Sequence, residues 1–274
     1  IYVALPPSRL GDCARACASA SPHLDINMSS GGAQPERTNA EGEDLAVPLP
    51  KDWDLEALRK MRLVLYQKKI SPPCCKVRAL LMFYKVPFET ADGKKPNSDY
   101  KKIPVLDVGD RQINDSFIIV KSLAPILQGR PLTDEELEVE RVITSGLMIA
   151  LEKRTAGSVK DLCSCGGLMG GGIGIVLRAA SCCISCCVAK KIGAGRELLS
   201  LKEYGDALVK HLGAGQFLSG DAPGVLDISV FGLLEPFARA KCGCIPELFD
   251  SSDGQLAAWH QRMLEATRGM DIFG

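Results

Sequence analysis

The corner Ser71-Pro72-Pro73-Cys74 constrains this chain more than any other feature. Before it, Leu63-Val64-Leu65-Tyr66 form an apolar run ended by Gln67, Lys68 and Lys69. The run is too short for a helix and a turn follows, so it predicts a buried strand. After the corner, Val77, Leu80, Leu81 and Tyr84 recur at three- and four-residue intervals. Proline is tolerated in a first helical turn, where its missing amide has no intrahelical partner, and the pattern predicts a helix from Pro73 to Tyr84.

The segments that follow extend the same unit. Val86-Pro87-Phe88 predict a second strand, Val105, Leu106 and Val108 a third, and Arg111-Gln112-Ile113 a fourth, with Gly109-Asp110 as a two-residue hairpin turn. A further helix starts near Ser116 and carries Ile118, Ile119, Leu123 and Ile126. This order gives an α/β domain with a mixed sheet over residues 61–127, preceded by a short helical turn within 52–60. Residues 130–162 and 195–270 read as helices separated by glycine and proline, so 130–274 forms a helical C-terminal domain.

With 274 residues, 46% of them hydrophobic, the chain can bury a core and has room for two domains. Lys plus Arg and Asp plus Glu both total 33, with no block of like charge, which excludes nucleic acid as the main partner. The twelve cysteines are bunched in close pairs, a poor disulfide framework that suits a reducing compartment or a thiol-rich surface. With His23, His211 and His260 as the histidines, no zinc-finger spacing arises and no metal site is assigned. Residues 1–50 read as a disordered leader and linker. The Ala- and Ser-rich start, with Arg9 and Arg15 against Asp12, equally resembles the end of an organellar transit peptide. Residues 166–189 are rich in Gly and Cys with Arg178 as the one charge, and admit a membrane span, surface association or a buried hairpin. Cys182, Cys183, Cys186 and Cys187 would line one side of a helix there, more as small apolar side chains than as ligands.

Four places carry candidate chemistry. Ser71 stands at the N-terminal edge of a helix, where free amides and the dipole favour a negative atom such as a thiolate. Cys74 lies one turn further in: a helix start lowers a thiol's pKa, but a small buried core residue is the alternative. Ile103-Pro104 precedes a strand; its peptide bond can be cis, although X-Pro statistics favour trans. Asn114-Asp115-Ser116 open a helix, so a cap is expected, and the same amides and carboxylate can hold the charged end of a peptide-like ligand.

Taken in order, Val64-Leu65-Tyr66-Gln67, Ser71-Pro72-Pro73-Cys74 with Lys76-Val77-Arg78-Ala79, Lys102-Ile103-Pro104-Val105-Leu106 and Ile113-Asn114-Asp115-Ser116 resemble the glutaredoxin-like domain of the prostaglandin E synthase type 2 family, within the wider glutathione-transferase fold. Gln216 to Asp221 followed by Leu226-Asp227-Ile228-Ser229 resembles the turn and buried helix of glutathione-transferase C-terminal domains, where an aspartate caps the helix. The resemblance implies an α/β thioredoxin-like N-terminal domain plus an all-α glutathione-transferase-type C-terminal domain. It implies glutathione as cofactor, haem as a further one, a small apolar substrate and a homodimer. Its thioredoxin-type proline matches Pro104, its ligand-backbone contact Ile103, and its glutathione-holding pair Asp115 and Ser116. The family's corner reads Cys-Pro-Phe-Cys, so its leading thiol is Ser71 here, and a tyrosine three residues earlier is Lys68. A serine can still donate a hydrogen bond to a glutathione thiolate, as in serine-type glutathione transferases. The implied activity is a glutathione-dependent isomerase or transferase acting on an apolar electrophile. The alternative is a noncatalytic glutathione- or haem-binding membrane-associated protein. Apart from the resemblance, the leader and the 166–189 segment are read as pointing to an intracellular, membrane-associated location, with an organelle (mitochondrion or plastid) as one option.

Overall fold

The computed structural model describes residues 49–155, 198–250 and 254–273. Nearly all of the expected leader and linker, and the whole of 166–189 with its four cysteines, lie outside the described residues. Asp54 opens α1 (Leu55–Lys60), its carboxylate accepting the Ala57 amide at 2.8 Å as an N-cap does. The chain then enters β1 (Leu63–Gln67), turns at Ser71 into α2 (Pro72–Phe83), and continues through β2 (Glu89–Asp92), β3 (Val105–Val108), β4 (Arg111–Asn114) and α3 (Ser116–Gln128).

The sheet runs in the order β2-β1-β3-β4, with β1 and β2 parallel and the other pairs antiparallel. Leu65, Leu106 and Ile113 stand in register across its centre and are fully buried with Val77, Leu80 and Leu81 of α2 and Ile119 and Leu123 of α3. The hairpin forms at Gly109-Asp110 as expected, and Gly109 takes the positive φ (+64°) that a II′ turn requires of its first central residue.

The second strand corrects the expectation of 86–88: it covers Glu89–Asp92 and is mostly exposed. The Val86 amide is occupied in closing α2, donating to Leu81 O at 2.8 Å past Lys85 at φ +53°, and Pro87 has no N–H to offer a sheet. Pairing therefore begins at Val64↔Glu89. The Ile103–Pro104 bond is cis, against the statistical expectation; the tertiary amide makes that isomer accessible.

The remaining described elements are helical: α4 (Asp134–Val142), a π turn (Ile143–Leu147) leading into helix through residue 155, α5 (Leu201–Leu212), α6 (Val225–Arg239), α7 (Cys244–Phe249) and α8 (Gln255–Ala266). Capping boxes at Thr133/Glu136 and Ser200/Glu203 start α4 and α5. Asp227, expected to cap α6, does so from its third residue. Its buried carboxylate accepts the amides of Leu218 (2.6 Å), Ser219 (2.9 Å) and Gly224 (3.1 Å) and the Trp259 indole N–H (2.8 Å). The architecture is a thioredoxin-like α/β domain joined to an all-α domain.

The two parts meet where α2 lies on α6. Gly232 permits the approach, since a Cβ there would sit 2.8 Å from Ala79 Cβ and 2.9 Å from Lys76 Cα. Beside it Lys76 donates to Glu140 and, at 2.6 Å, to Thr144 Oγ1, while Ser229 Oγ donates to the other Glu140 oxygen at 2.5 Å. The Lys76 and Glu140 side chains are both 0% exposed. Charges so desolvated are tolerated only when paired and hydrogen-bonded.

Two measurements test this seam. Gly232→Ala is expected to lower stability by about 1–3 kcal/mol through overpacking, read as a fall in Tm. Lys76→Met alone is expected to cost about 3–5 kcal/mol by stranding Glu140, and Lys76→Met with Glu140→Met to recover most of it; a double variant as unstable as the single would remove the ion pair from this account.

Candidate functional site

Antiparallel pairing decides which chain ends meet. Tyr66, Val105 and Asn114 are in register, so the end of β1, the start of β3 and the end of β4 share one edge of the sheet. That edge carries the Ser71 corner, the cis Ile103–Pro104 bond and the Asp115–Ser116 helix start. The starts of α2 and α3 lie there too, and free amides at helix starts favour anions.

Ser71 is half-buried and is the N-cap of α2, yet its side chain makes no capping bond. Its carbonyl instead accepts the amides of Cys74 and Cys75, both at 2.9 Å. The hydroxyl therefore stands at the helix start without being committed to the cap. Cys74 is fully buried. Burial pushes its thiol pKa up, with hydrogen bonds from Ser71 and the Lys68 backbone and the charge of Arg78 pulling the other way. Of the two readings open for Cys74, the buried core residue matches its surroundings. Lys68, where the resembling family has a tyrosine, is exposed, 3.5 Å from Asp92.

On the second helix start, Asp115 takes φ +68° and caps α3, Oδ1 accepting the Phe117 amide at 2.9 Å. Its own amide donates to Pro104 O at 3.2 Å, which links the cap directly to the cis-proline. Ser116 is buried and Ile103 half-buried. Sequence reasoning missed the residues that hold this cap. Tyr100 Oη donates to Asp115 Oδ2 (3.3 Å), and Ser98 accepts the Tyr100 amide (3.2 Å) and one N–H of Gln112 (2.8 Å). Gln112 also donates to Asn114 Oδ1 (2.7 Å). A tyrosine and a serine two residues apart in a loop carry no periodic signal, so nothing in the sequence marked them. Among the described residues no group of three or more His, Cys, Asp or Glu is placed to hold a metal, and no helix is long and apolar enough to cross a membrane.

The burial of neutral acids at the two ends of α2 sets an alkaline limit. Desolvation raises Cys75 from 9.0 to about 11, and burial with the Asp227 charge raises Tyr84 from 10.0 to about 12. A group whose pKa rises on folding adds stability that is complete below its unfolded value and lost as pH climbs through the folded one. Urea midpoints are therefore expected to hold up to about pH 9 and to fall between about pH 9 and 12, with Cys75→Ala flattening the first part of that decline.

No protein-family model matches the chain. Among solved structures it is similar to an apo form of human glutathione S-transferase T1-1 (20% identity, TM-score 0.48, 77% of this chain and 86% of that one). It is also similar to a glutathione S-transferase of Xanthobacter autotrophicus Py2 (15% identity, TM-score 0.48, 76% and 95%). An 85-residue stretch is 36% identical to prostaglandin E synthase 2 of Mus musculus, covering 27% of this chain and 22% of that protein. A 77-residue stretch is 35% identical to the protein of the same name in Danio rerio, covering 26% and 20%. The chain spans about a fifth of the length of the curated relatives it matches. In fold it is a thioredoxin-like domain joined to an all-α domain, and about a quarter of its length is similar in sequence to prostaglandin E synthase 2.

Proposed function

We propose that the chain is a glutathione-dependent isomerase or transferase acting on an apolar electrophile, similar to prostaglandin E synthase 2. The observation that carries the reading is the shared sheet edge at which a serine hydroxyl, a cis-proline and a capped Asp-Ser helix start come together. Glutathione has an ammonium and a carboxylate at one end and a thiol in the middle. Asp115 suits the ammonium, and Ser116 with the first amides of α3 suits the carboxylate. The backbone of Ile103 suits the peptide portion. Ser71 then donates to the thiolate, aided by the dipole of α2. The bound tripeptide supplies the nucleophilic sulfur. Cys74, buried and with a raised pKa, stays out of the reaction, so protein disulfide exchange through this corner is not part of the proposal.

The membrane-associated site of action, the mitochondrial or plastid compartment and the homodimer belong to the same proposal. A noncatalytic glutathione-binding protein is the second reading, favoured by the lack of an exposed thiol at the corner. Turnover separates the two, since binding alone consumes no substrate.

Calorimetry is expected to show glutathione binding that weakens about 10- to 150-fold in Asp115→Ala, the loss of a charge-assisted bond of about 1.5–3 kcal/mol. With glutathione and a panel of electrophiles, Ser71→Ala is expected to lose about one to two orders of magnitude in rate while Cys74→Ser keeps most of it. The reverse ranking would make Cys74 the nucleophile and sink the assignment.

A further inference from the structure

Arg78, on the inner side of α2, is 3% exposed and bonds to three separate pieces of chain. Nη1 donates to the Gln67 side chain at the end of β1, and Nη2 to the carbonyl of Lys69 in the bend that precedes Ser71. Nη2 also donates to Cys75 Sγ at 3.0 Å, and that thiol in turn donates to Lys69 O at 3.2 Å. Nε donates to the carbonyl of Ile272 at 2.5 Å, a residue 194 positions away. The Ile272 side chain is itself buried. The next ring, Phe273, lies under the Arg239 guanidinium at 4.3 Å, and Arg239 is held 3.5 Å from Glu235. Among the described residues the Arg78 partners are two carbonyls, an amide oxygen and a thiol.

A planar fork with its N–H groups pinned from several sides cannot turn without releasing one of those partners. In the bend that follows Gln67, Ser71 N donates to Lys68 O at 3.1 Å, and the Lys69 carbonyl is gripped from beneath by the Arg78 and Cys75 side chains. Nearby thiols feel the same charge: Arg78 pulls Cys74 and Cys75 toward ionisation against their burial.

We propose that Arg78 is the positioning residue of the Ser71 corner, and that the segment carrying Ile272 is part of the same device because its carbonyl fixes the rotation of the guanidinium. Arg78 touches neither the ligand nor the reacting atoms. It holds the bend so that the Ser71 hydroxyl faces the place of the thiolate, and its charge, which already pulls the neighbouring thiols toward ionisation, favours the ionised sulfur there. This rests on Ser71 holding a glutathione thiolate.

The test compares the full chain with Arg78→Lys, which keeps the charge and loses the fork, and with a variant lacking residues 271–274, which removes the carbonyl and leaves Arg78 intact. Hydrogen exchange at the amides of Ser71, Cys74 and Cys75 needs no ligand. It is expected to speed up about tenfold in the shortened chain, with the amides of β4 and α3 unchanged. In the same variant kcat is expected to fall about tenfold with KM for glutathione within about twofold, since Asp115 and Ser116 are untouched. The ultraviolet absorbance of the thiolate, followed against pH, is expected to show the bound thiol ionising at higher pH. Exchange that is unchanged at the corner, or raised equally throughout the molecule, overturns the proposal, as does a loss confined to KM. If Arg78→Lys does not fold, the shortened chain alone decides. If the unaltered protein binds no glutathione, the functional reading fails, while corner exchange still decides whether Arg78 and Ile272 set the bend.

Discussion

A lysine and a glutamate sealed together between α2 and α6 are the constraint on which the rest depends. Neither Lys76 nor Glu140 touches solvent, and each would be strongly unfavourable alone in that setting. Thr144 and Ser229 complete the shell, so groups from α2, α4, the π turn and α6 are satisfied only together. Gly232 brings the helix backbones close enough for this to happen. One side of α2 is thus committed to the sheet and the other to the helical part. The position of Ser71, the cap of α2, is a property of the whole molecule more than of its own domain.

What could be read beforehand was whatever leaves a local or periodic mark. β1, the proline corner, the Gly109-Asp110 hairpin and the start of α3 are all set by residues within a turn or two of each other. β2 was misplaced because Val86 looks like strand and is buried for another reason, while Glu89–Asp92 are polar on both sides of an edge. The burial of Lys76, Arg78, Glu140 and Glu235 was not expected, because charged residues in helices ordinarily face water. Each has a partner far along the chain, 64, 194, 89 and 25 residues away, at distances over which no pattern in one sequence points from one to the other. The same holds for the site. Ser71, Pro104 and Asp115 were recognisable from motif order, whereas Tyr100, Ser98 and Gln112, which hold Asp115, were not.

The corner sets a hydroxyl at the start of a helix and keeps its two thiols buried. Ser71 leaves its hydroxyl free of the cap, and the neighbouring cysteines are buried with their pKa values raised by desolvation. Burial wins over the helix dipole at Cys74 because the dipole acts on a group that also meets water, and this one does not. Cysteine near a helix start is therefore a weak indicator of reactivity until its depth is known.

The π turn at Ile143–Leu147 holds one residue more than an α-helix would place there. Each residue advances a helix by about 100°, so everything after the turn is rotated relative to everything before it. Glu140 and Thr144 face Lys76, while further along Leu151 is buried, Arg154 reaches Glu247 and Thr155 lies 3.8 Å from the Cys244 sulfur. A single continuous rod thereby serves two neighbours that no unbroken helix could address at once. Deleting any one of residues 143–147 would tidy the local hydrogen bonds and spoil both ends: with the first half in place, the second would swing Leu151 out of the core and carry Thr155 away from α7.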